Sequence, residues 1–275
     1  MMITVEPEIL DLKEGEFTLD AGCGNGRHSW ALYDKNHSPI VAFDIDIICV
    51  KKNKYMLDSL KQQKNCNGSY HLLVADVKKL PFKNASFNKI ICSEVLEHIP
   101  EDKIALQELV RVLREDGAIG ISVPHYLAES VCWKLSKDYY GFPGGHIRKY
   151  RTRDLLDLIN SSGLSVYAIR YKHALHSFYW ILRCLIGIKK ENARLPALYN
   201  RFLEWHLRTN HKFFCWLEDV LNHFCPKSVV VYARKAKIMK SEPQAISTVT
   251  KTSANVNESI MRETVSRSKT KAQRR

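Results

Sequence analysis

Apolar and polar positions follow two alternating periods along residues 1–172. Short runs rich in β-branched and aromatic residues predict strands at residues 17–19, 40–43, 71–75, 89–92, 118–123 and 164–171. Between these runs, apolar residues recur three and four positions apart, as over residues 45–60 and 102–113, which predicts helices. Pro100, followed by two acidic residues, is a typical helix start. This alternation favours a parallel sheet with helices on both faces.

Two changes of pattern divide the rest of the chain. Residues 173–224 have a helical, aromatic-rich pattern without a clear strand, and residues 228–233 then read as one last strand. We therefore predict one domain over residues 1–235, with a helical insertion at 173–224 before the last strand. From residue 237 onward Ser, Thr, Lys and Arg dominate. Such a composition cannot bury enough surface to offset its ordering entropy, so residues 236–275 are predicted to be a disordered basic tail.

The net charge of +13 suits nucleic acid, an anionic membrane surface or an acidic substrate. Nine basic and three acidic residues at 237–275 supply +6 of that charge, which weakens the case for a nucleic-acid surface on the folded domain. The eight cysteines contain no pair separated by two residues, which argues against a zinc site and favours buried thiols in a reducing compartment. With no signal-peptide pattern and no run long enough to span a membrane, the expected location is cytoplasmic.

A glycine-rich turn, "LDAGCGNG", follows the first predicted strand. Its glycines permit a sharp turn and leave amide groups free at a helix start, where a ligand can be received. The third glycine comes one position early for the dinucleotide pattern, and the lysine of a phosphate-binding P-loop is absent, so pyrophosphate cofactors are disfavoured. A turn that binds nothing is the alternative interpretation.

Two acidic residues support a nucleoside site. Asp44 ends the second predicted strand, where a carboxylate can accept hydrogen bonds from a ribose diol. Asp76 follows the third strand and faces the same crevice, with an adenine amino group as its predicted partner. Asp44 could instead be an exposed loop acid, and Asp46 could cap the next helix.

Five segments, "LDAGCGNG", "VAFDID", "VADVKKLPF", "SFNKIICSEVLEHI" and "LVRVLREDGAIGISVP", stand in an order that resembles the class I S-adenosylmethionine-dependent methyltransferases. The resemblance covers residues 15–172. It is greatest to the type-11 methyltransferase domain and the small-molecule branch, which includes quinone-biosynthesis, lipid and natural-product enzymes. It implies a Rossmann-like seven-stranded sheet, mostly parallel, with the last strand antiparallel, and S-adenosyl-L-methionine as the cofactor.

The resemblance also implies roles for individual residues. Asp20 and the glycine turn would hold the amino-acid moiety, Asp44 the ribose with Ile45 packed on the adenine, and Ser93 would lie near the methionine portion. One departure is Asn88, where relatives commonly have aspartate, but it lies at a strand start away from the cofactor. The implied cofactor-binding residues are Asp20, Gly22, Cys23, Gly24, Gly26, Asp44, Ile45, Asp76, Val77 and Ser93.

Methyl transfer is an in-line displacement in which the cofactor supplies the leaving group. The protein mainly positions the acceptor and, where needed, removes a proton. His125 and Tyr126, after the fifth strand, and His146, in the loop "GFPGGHIRKY", are the candidate catalytic residues. A supporting role for His98 in the cofactor loop, and a merely hydrogen-bonded role for His146, are the alternatives.

The insertion indicates the acceptor class. Its aromatic residues, interleaved with Lys, Arg and His, predict a lid over a lipophilic or glycan-linked acceptor, or contact with a membrane surface through Trp180, Trp205 and Trp216. Packing of these aromatic faces against the sheet is the alternative. We expect transfer of a methyl group to an O, N or C atom of a small molecule. One rival function is RNA or protein methylation, which is disfavoured because the basic tail is separable from the domain and because "SEVL" stands in place of an amide-methylation motif. The other rival is cofactor binding without turnover.

Overall fold

The structure is a computed structural model that describes residues 2–35, 39–64, 68–141, 144–190 and 192–236. The predicted tail from residue 237 onward lies outside the described residues, and its disorder stays a prediction. Phe142 and Pro143 of the loop before His146 are also outside them.

The described residues form a seven-stranded sheet with the strand order β3-β2-β1-β4-β5-β7-β6. All neighbouring pairs from β3 to β5 are parallel, and β7 runs antiparallel to both β5 and β6. The predicted fold is therefore confirmed, including the antiparallel last strand. The strands are β1 Thr18–Ala21, β2 Ile40–Asp44, β3 Tyr70–Val74, β4 Phe87–Ser93, β5 Leu113–Pro124, β6 Leu164–Lys172 and β7 Ser228–Lys235.

Helices cover the sheet and fill the predicted insertion. Three of them, α6, α7 and α8, lie between β6 and β7, which confirms the helical insertion before the last strand. Among the described residues, no helix has the length and apolar character needed to cross a membrane. The helices are α1 Arg27–Lys35, α2 Ile47–Lys64, α3 Asp102–Val112, α4 Tyr126–Leu135, α5 Thr152–Ser161, α6 Ala174–Ile186, α7 Arg194–Thr209 and α8 Lys212–Leu221, with 3₁₀ turns at Leu96–His98 and Lys137–Tyr139.

Buried side chains fill both faces of the sheet. Consecutive strand residues point to opposite faces. In β4, accordingly, Ile90 belongs to the core cluster that includes Leu106 of α3, and Ile91 to the cluster that includes Leu32 of α1 and Leu57 of α2. This two-sided burial explains why the strands are continuous apolar runs.

The topology places one crevice beside β1. β2 and β3 lie on one side of β1, and β4 and β5 lie on the other, so the strand order reverses direction at β1. Because these strands are parallel, their carboxyl ends lie along one edge of the sheet. Such a switch point is where open α/β sheets bind ligands. The glycine turn, Asp44, Asp76 and Ser93 follow or end the four strands at this edge.

Candidate active site

The three glycines of the turn all have left-handed backbone conformations, with φ of +66° at Gly22, +52° at Gly24 and +93° at Gly26. A Cβ atom on Gly22 would lie 2.5 Å from Val95 Cγ2, and one on Gly26 would lie 2.2 Å from Asn53 Oδ1. At Gly24, in contrast, no described heavy atom outside its chain neighbours comes within 4 Å of that position. The first and third glycines are thus required by packing, and the second presents open backbone at the crevice.

Asp20 is almost completely buried at the end of β1. Its Oδ2 accepts hydrogen bonds from the Ser29 backbone N–H at 3.0 Å and from the Ser29 hydroxyl at 2.6 Å. Burial raises the pKa of Asp20 to about 6, against the opposing effect of these hydrogen bonds. The structure thus shows Asp20 anchoring the first turn of α1, and its predicted contact with the cofactor stays a prediction.

Asp44 and Ile45 form the surface that the resemblance assigns to the nucleoside. The Gly24 N–H donates to Asp44 Oδ2 at 2.8 Å, and the Asp46 N–H donates to Asp44 Oδ1 at 2.9 Å. Ile45 is 72% exposed beside this carboxylate. Asp46 accepts from the Ile48 N–H at 2.8 Å, so it caps α2 as the alternative interpretation expected.

Asp76 and Ser93 stand on either side of that surface. Asp76 is half-buried, and its Oδ1 accepts from the Lys78 N–H at 2.9 Å. Ser93 is buried at the end of β4, where its hydroxyl lies 2.9 Å from Ser122 Oγ and accepts from Arg27 Nη2 at 3.1 Å. Cys23 and Val77 are also buried, and Val77 belongs to the core.

These residues fit S-adenosylmethionine in three respects. The open Gly24 backbone lets a ligand approach. Asp44 ends β2, next to where a ribose diol would lie, and the exposed apolar side chain of Ile45 adjoins Asp44. Asp44, Ile45 and Asp76 would hold the nucleoside, and Ser93 would lie by the methionine portion. The cofactor would supply an activated methyl group there.

A cavity of roughly 380 Å³ opens beside Arg27 and Glu94 and is of the size typical for small-molecule sites. Its lining includes His146 but neither His125 nor Tyr126, and the catalytic roles of all three stay predictions. The His125 ring packs edge-to-face on Tyr171, with 5.7 Å between centroids, and its imidazole pKa is lowered by burial. The lining residues are Met2, Thr4, Arg27, Glu94, His98, Tyr139, His146, His173, His176, Trp180, Ile188, Lys227 and Ser228.

Several of these lining residues escaped sequence reasoning. Arg27 directly follows the glycine turn, and this position in the sequence could have identified it as a residue near the cofactor site. His173, His176 and Trp180 come from the start of the insertion, and Lys227 from the loop before β7. They are far apart in the sequence and carry no common spacing, so only the fold brings them together.

His146 is held by a buried acid. Its Nδ1 lies 2.5 Å from Glu129 Oε1, and Glu129 also accepts from Trp133 Nε1 at 3.0 Å. Lys227 Nζ lies 3.6 Å from the other carboxylate oxygen. Although burial opposes ionisation, the hydrogen bond from His146 and the charge of Lys227 lower the pKa of Glu129 to about 2. Glu129 is therefore a carboxylate that orients the His146 ring.

Comparisons with known proteins agree with this geometry. Residues 19–121 match the family model of a methyltransferase domain. The chain is 32% identical over 117 residues to a tRNA U34 carboxymethyltransferase of Pseudoalteromonas atlantica, covering 42% of this chain and 33% of the relative. It is 30% identical over 115 residues to a demethylmenaquinone methyltransferase of Lactobacillus johnsonii, covering 41% and 45%. The matches thus span less than half the length of these relatives.

A solved structure shows the same fold. An S-adenosylmethionine-dependent methyltransferase of Methanosarcina mazei superposes with a TM-score of 0.54 at 15% identity, covering 85% of this chain and 99% of that one. The sheet order, the glycine turn and the family match lead to one conclusion. Residues 19–121 are a methyltransferase domain of the class I, S-adenosylmethionine-dependent kind.

Proposed function

We propose that the chain transfers the methyl group of S-adenosylmethionine to a small acceptor that has an apolar body and a polar reacting group. The observation that carries this proposal is that the cavity is lined by both apolar and polar residues. Trp180, Ile188 and Tyr139 give it an apolar wall, and Glu94 and His146 are among its polar residues. A lipophilic or glycan-linked molecule fits such a lining.

The position of the cavity supports the same reaction. It adjoins Arg27, which is hydrogen-bonded to Ser93 at the end of β4, where the methionine portion of the cofactor would lie. An acceptor in the cavity would therefore lie beside the methyl group, and placing it there would be the chain's main contribution. Helix α6 contributes Trp180 to the wall.

The names of the relatives divide between acceptor classes. The relative named for demethylmenaquinone supports a quinone-like acceptor. The relative named for tRNA supports RNA as the alternative acceptor. A methyl-release assay with labelled cofactor on lipid, quinone, glycan and RNA fractions tests the proposal. We expect incorporation into a lipophilic or glycan fraction. Incorporation into RNA alone would overturn it, and no incorporation despite cofactor binding would favour the non-catalytic alternative.

Replacement of Trp180 by alanine is expected to raise KM for the acceptor about 10-fold or more, because it removes roughly 50 to 100 Å² of apolar contact at about 25 cal/mol per Å². Steady-state kinetics with the acceptor found in the fraction assay measure the change. Affinity for S-adenosylhomocysteine should stay within about 2-fold, because the Trp180 side chain lies on the acceptor side.

Tyr55→Ala is the control, since Tyr55 is 71% exposed on α2, outside the cavity lining and outside the insertion. It should leave the acceptor KM unchanged. Equal KM values for the two variants would contradict the assignment of this cavity to the acceptor.

We further propose that the insertion touches an anionic membrane surface. Helix α8 exposes Phe213 and Trp216, three positions apart, and α7 exposes Leu195 and Leu198 with the same spacing. Aromatic and aliphatic side chains presented together with basic residues are typical of helices that lie at a membrane surface.

The double replacement Phe213→Ser and Trp216→Ser should reduce binding to vesicles of anionic phospholipid by about 5-fold or more, because it removes the apolar anchors. Vesicle co-sedimentation of the full chain measures the bound fraction. Tyr55→Ser is the control, as Tyr55 is 71% exposed on α2, outside the insertion. An unchanged bound fraction in the double variant would refute the contact.

A further inference from the structure

Three potential metal ligands converge at one end of the cavity. Glu97 and His98 lie in the 3₁₀ turn that follows β4, and His146 comes from the loop before α5. One ligand atom from each lies within 4.8 Å of the ligand atoms of the other two. The 3₁₀ turn brings Glu97 and His98 to the carboxyl edge of the sheet, beside the proposed acceptor site.

Glu97 has an unusual environment for a carboxyl group. Its side chain is completely buried, and within the described part of the chain neither carboxylate oxygen has a hydrogen-bond partner. The nearest cationic candidate is the His98 ring, with Nε2 at 3.9 Å from Glu97 Oε1. A carboxyl group in this position requires either a proton or a cation.

Both histidines are held through Nδ1. His146 Nδ1 lies 2.5 Å from Glu129 Oε1, and His98 Nδ1 lies 3.3 Å from the carbonyl oxygen of Gly145. Because each acceptor takes a proton from Nδ1, the lone pair of the neutral ring is on Nε2. Metal-binding histidines are oriented in this way, by a carboxylate or a backbone carbonyl on the other ring nitrogen.

Glu129 belongs to the supporting residues and not to the ligands. Its oxygens are taken by His146, Trp133 and the charge of Lys227. No such partner satisfies Glu97 among the described residues, so its oxygens are the free anionic donors beside the two imidazoles.

We propose that Glu97, His98 and His146 bind a divalent metal ion that accepts mixed nitrogen and oxygen ligands, such as Zn²⁺ or Mn²⁺. Two imidazoles and one carboxylate are a donor set that these ions take readily. Three protein ligands leave further coordination positions open, and His98 and His146 both line the cavity, so an open position faces the acceptor.

On the basis of the proposed function, this site also identifies the acceptor as one that carries a hydroxyl group. Coordination lowers the pKa of a bound hydroxyl, which releases its proton to water. The oxygen then attacks the methyl carbon, and the bond between that carbon and sulfur breaks with its electron pair moving to sulfur. The products are a methyl ether, S-adenosylhomocysteine and the released proton.

The test is metal binding by the full chain after treatment with a chelator. Isothermal titration calorimetry with Mn²⁺ and with Zn²⁺, combined with elemental analysis after desalting, should show one ion per chain. Glu97→Gln and His146→Gln keep the side-chain size and should each weaken binding about 30-fold or more, and Glu129→Gln about 10-fold through loss of His146 orientation. The visible absorption of Co²⁺ in the site should be lost in His146→Gln.

A second group of donors provides the matched control. His173, His176 and Glu218 also place their ligand atoms within 4.8 Å of one another, but Glu218 lies 3.5 Å from His206 Nε2. His176→Gln should therefore keep metal affinity within about 3-fold. Loss of binding in His176→Gln but not in His146→Gln would overturn the assignment, as would the absence of stoichiometric binding.

The result for the metal can be separated from the result for the methyl donor. Calorimetry with S-adenosylhomocysteine, in the presence of chelator, measures cofactor binding alone. Cofactor binding without a stoichiometric ion would overturn the metal site and leave the proposed function intact. If Glu97→Gln fails to fold, His146→Gln decides, because its side chain is 19% exposed on a loop.

Discussion

Replacement of Asp44 by alanine is expected to weaken the binding of S-adenosylhomocysteine about 100-fold or more. In the predicted site this carboxylate would accept hydrogen bonds from both ribose hydroxyls, and each charge-assisted hydrogen bond contributes roughly 1.5–3 kcal/mol. The structure adds a second cause. Asp44 Oδ2 accepts from the Gly24 N–H at 2.8 Å, so the substitution also frees the glycine turn. Isothermal titration calorimetry with the purified chain measures the loss.

Asp46→Ala is the control for this prediction. Asp46 stands two positions further on but caps α2, accepting from the Ile48 N–H at 2.8 Å. Its removal should cost about 1 kcal/mol of stability and leave cofactor affinity within about 3-fold. If Asp44→Ala and Asp46→Ala bound S-adenosylhomocysteine equally well, the nucleoside site would have to lie elsewhere.

The sheet was predictable because its periodicity is local and two-sided burial reinforces it. The largest discrepancy is at β5, which begins at Leu113, five residues before the predicted start. Residues 114–116 are exposed and charged, so no apolar pattern marks them. Leu113 pairs with Phe87 at the start of β4, and the register shifts before the next pair, Lys89 and Ala118. Hydrophobic periodicity identifies the buried part of a strand and not its exposed extension.

The glycine turn and the cavity also differ in how far local sequence predicts them. The three glycines lie within five positions, Gly22 to Gly26. Asp44 ends one strand and Asp76 follows another, so local pattern and topology together predict that these residues lie close together. The cavity combines Thr4, Arg27, Trp180 and Lys227, which are spread over the whole domain. Such a set can be assigned only when the fold is known.

The histidines illustrate the limit of strand-end reasoning. His125 follows the fifth strand directly and yet packs on Tyr171, outside the cavity lining. His146 is more than twenty residues away from that strand end and lines the cavity, where buried Glu129 holds it. The cysteine spacing argued against a zinc site, but it carries no information about a group built from Glu97 and two histidines.

Replacement of Gly26 by alanine is expected to destabilise the chain by about 3 kcal/mol. At φ of +93° an alanine is strained, at a cost of about 1 kcal/mol or more, and its Cβ would lie 2.2 Å from Asn53 Oδ1 and 2.5 Å from Trp30 Nε1. These two side chains are hydrogen-bonded at 3.0 Å, and Asn53 Nδ2 donates to the Ser29 hydroxyl at 3.2 Å. The new methyl group would therefore disrupt a buried polar network, with loss of hydrogen bonds at about 1 kcal/mol each.

Gly24→Ala separates this packing effect from ligand binding. Its φ of +52° is also left-handed, but its Cβ would meet no described heavy atom within 4 Å beyond its neighbours, so only the conformational cost of about 1 kcal/mol applies. The cofactor is predicted to approach through the open space above Gly24, so this variant should lose affinity for S-adenosylhomocysteine about 10-fold or more while staying folded. Urea unfolding at several temperatures and calorimetry give both quantities for each variant. Equal unfolding free energies for Gly24→Ala and Gly26→Ala would show that the contact with Asn53 is not the reason for glycine at position 26. Full affinity for S-adenosylhomocysteine in Gly24→Ala would show that the ligand does not contact the Gly24 backbone.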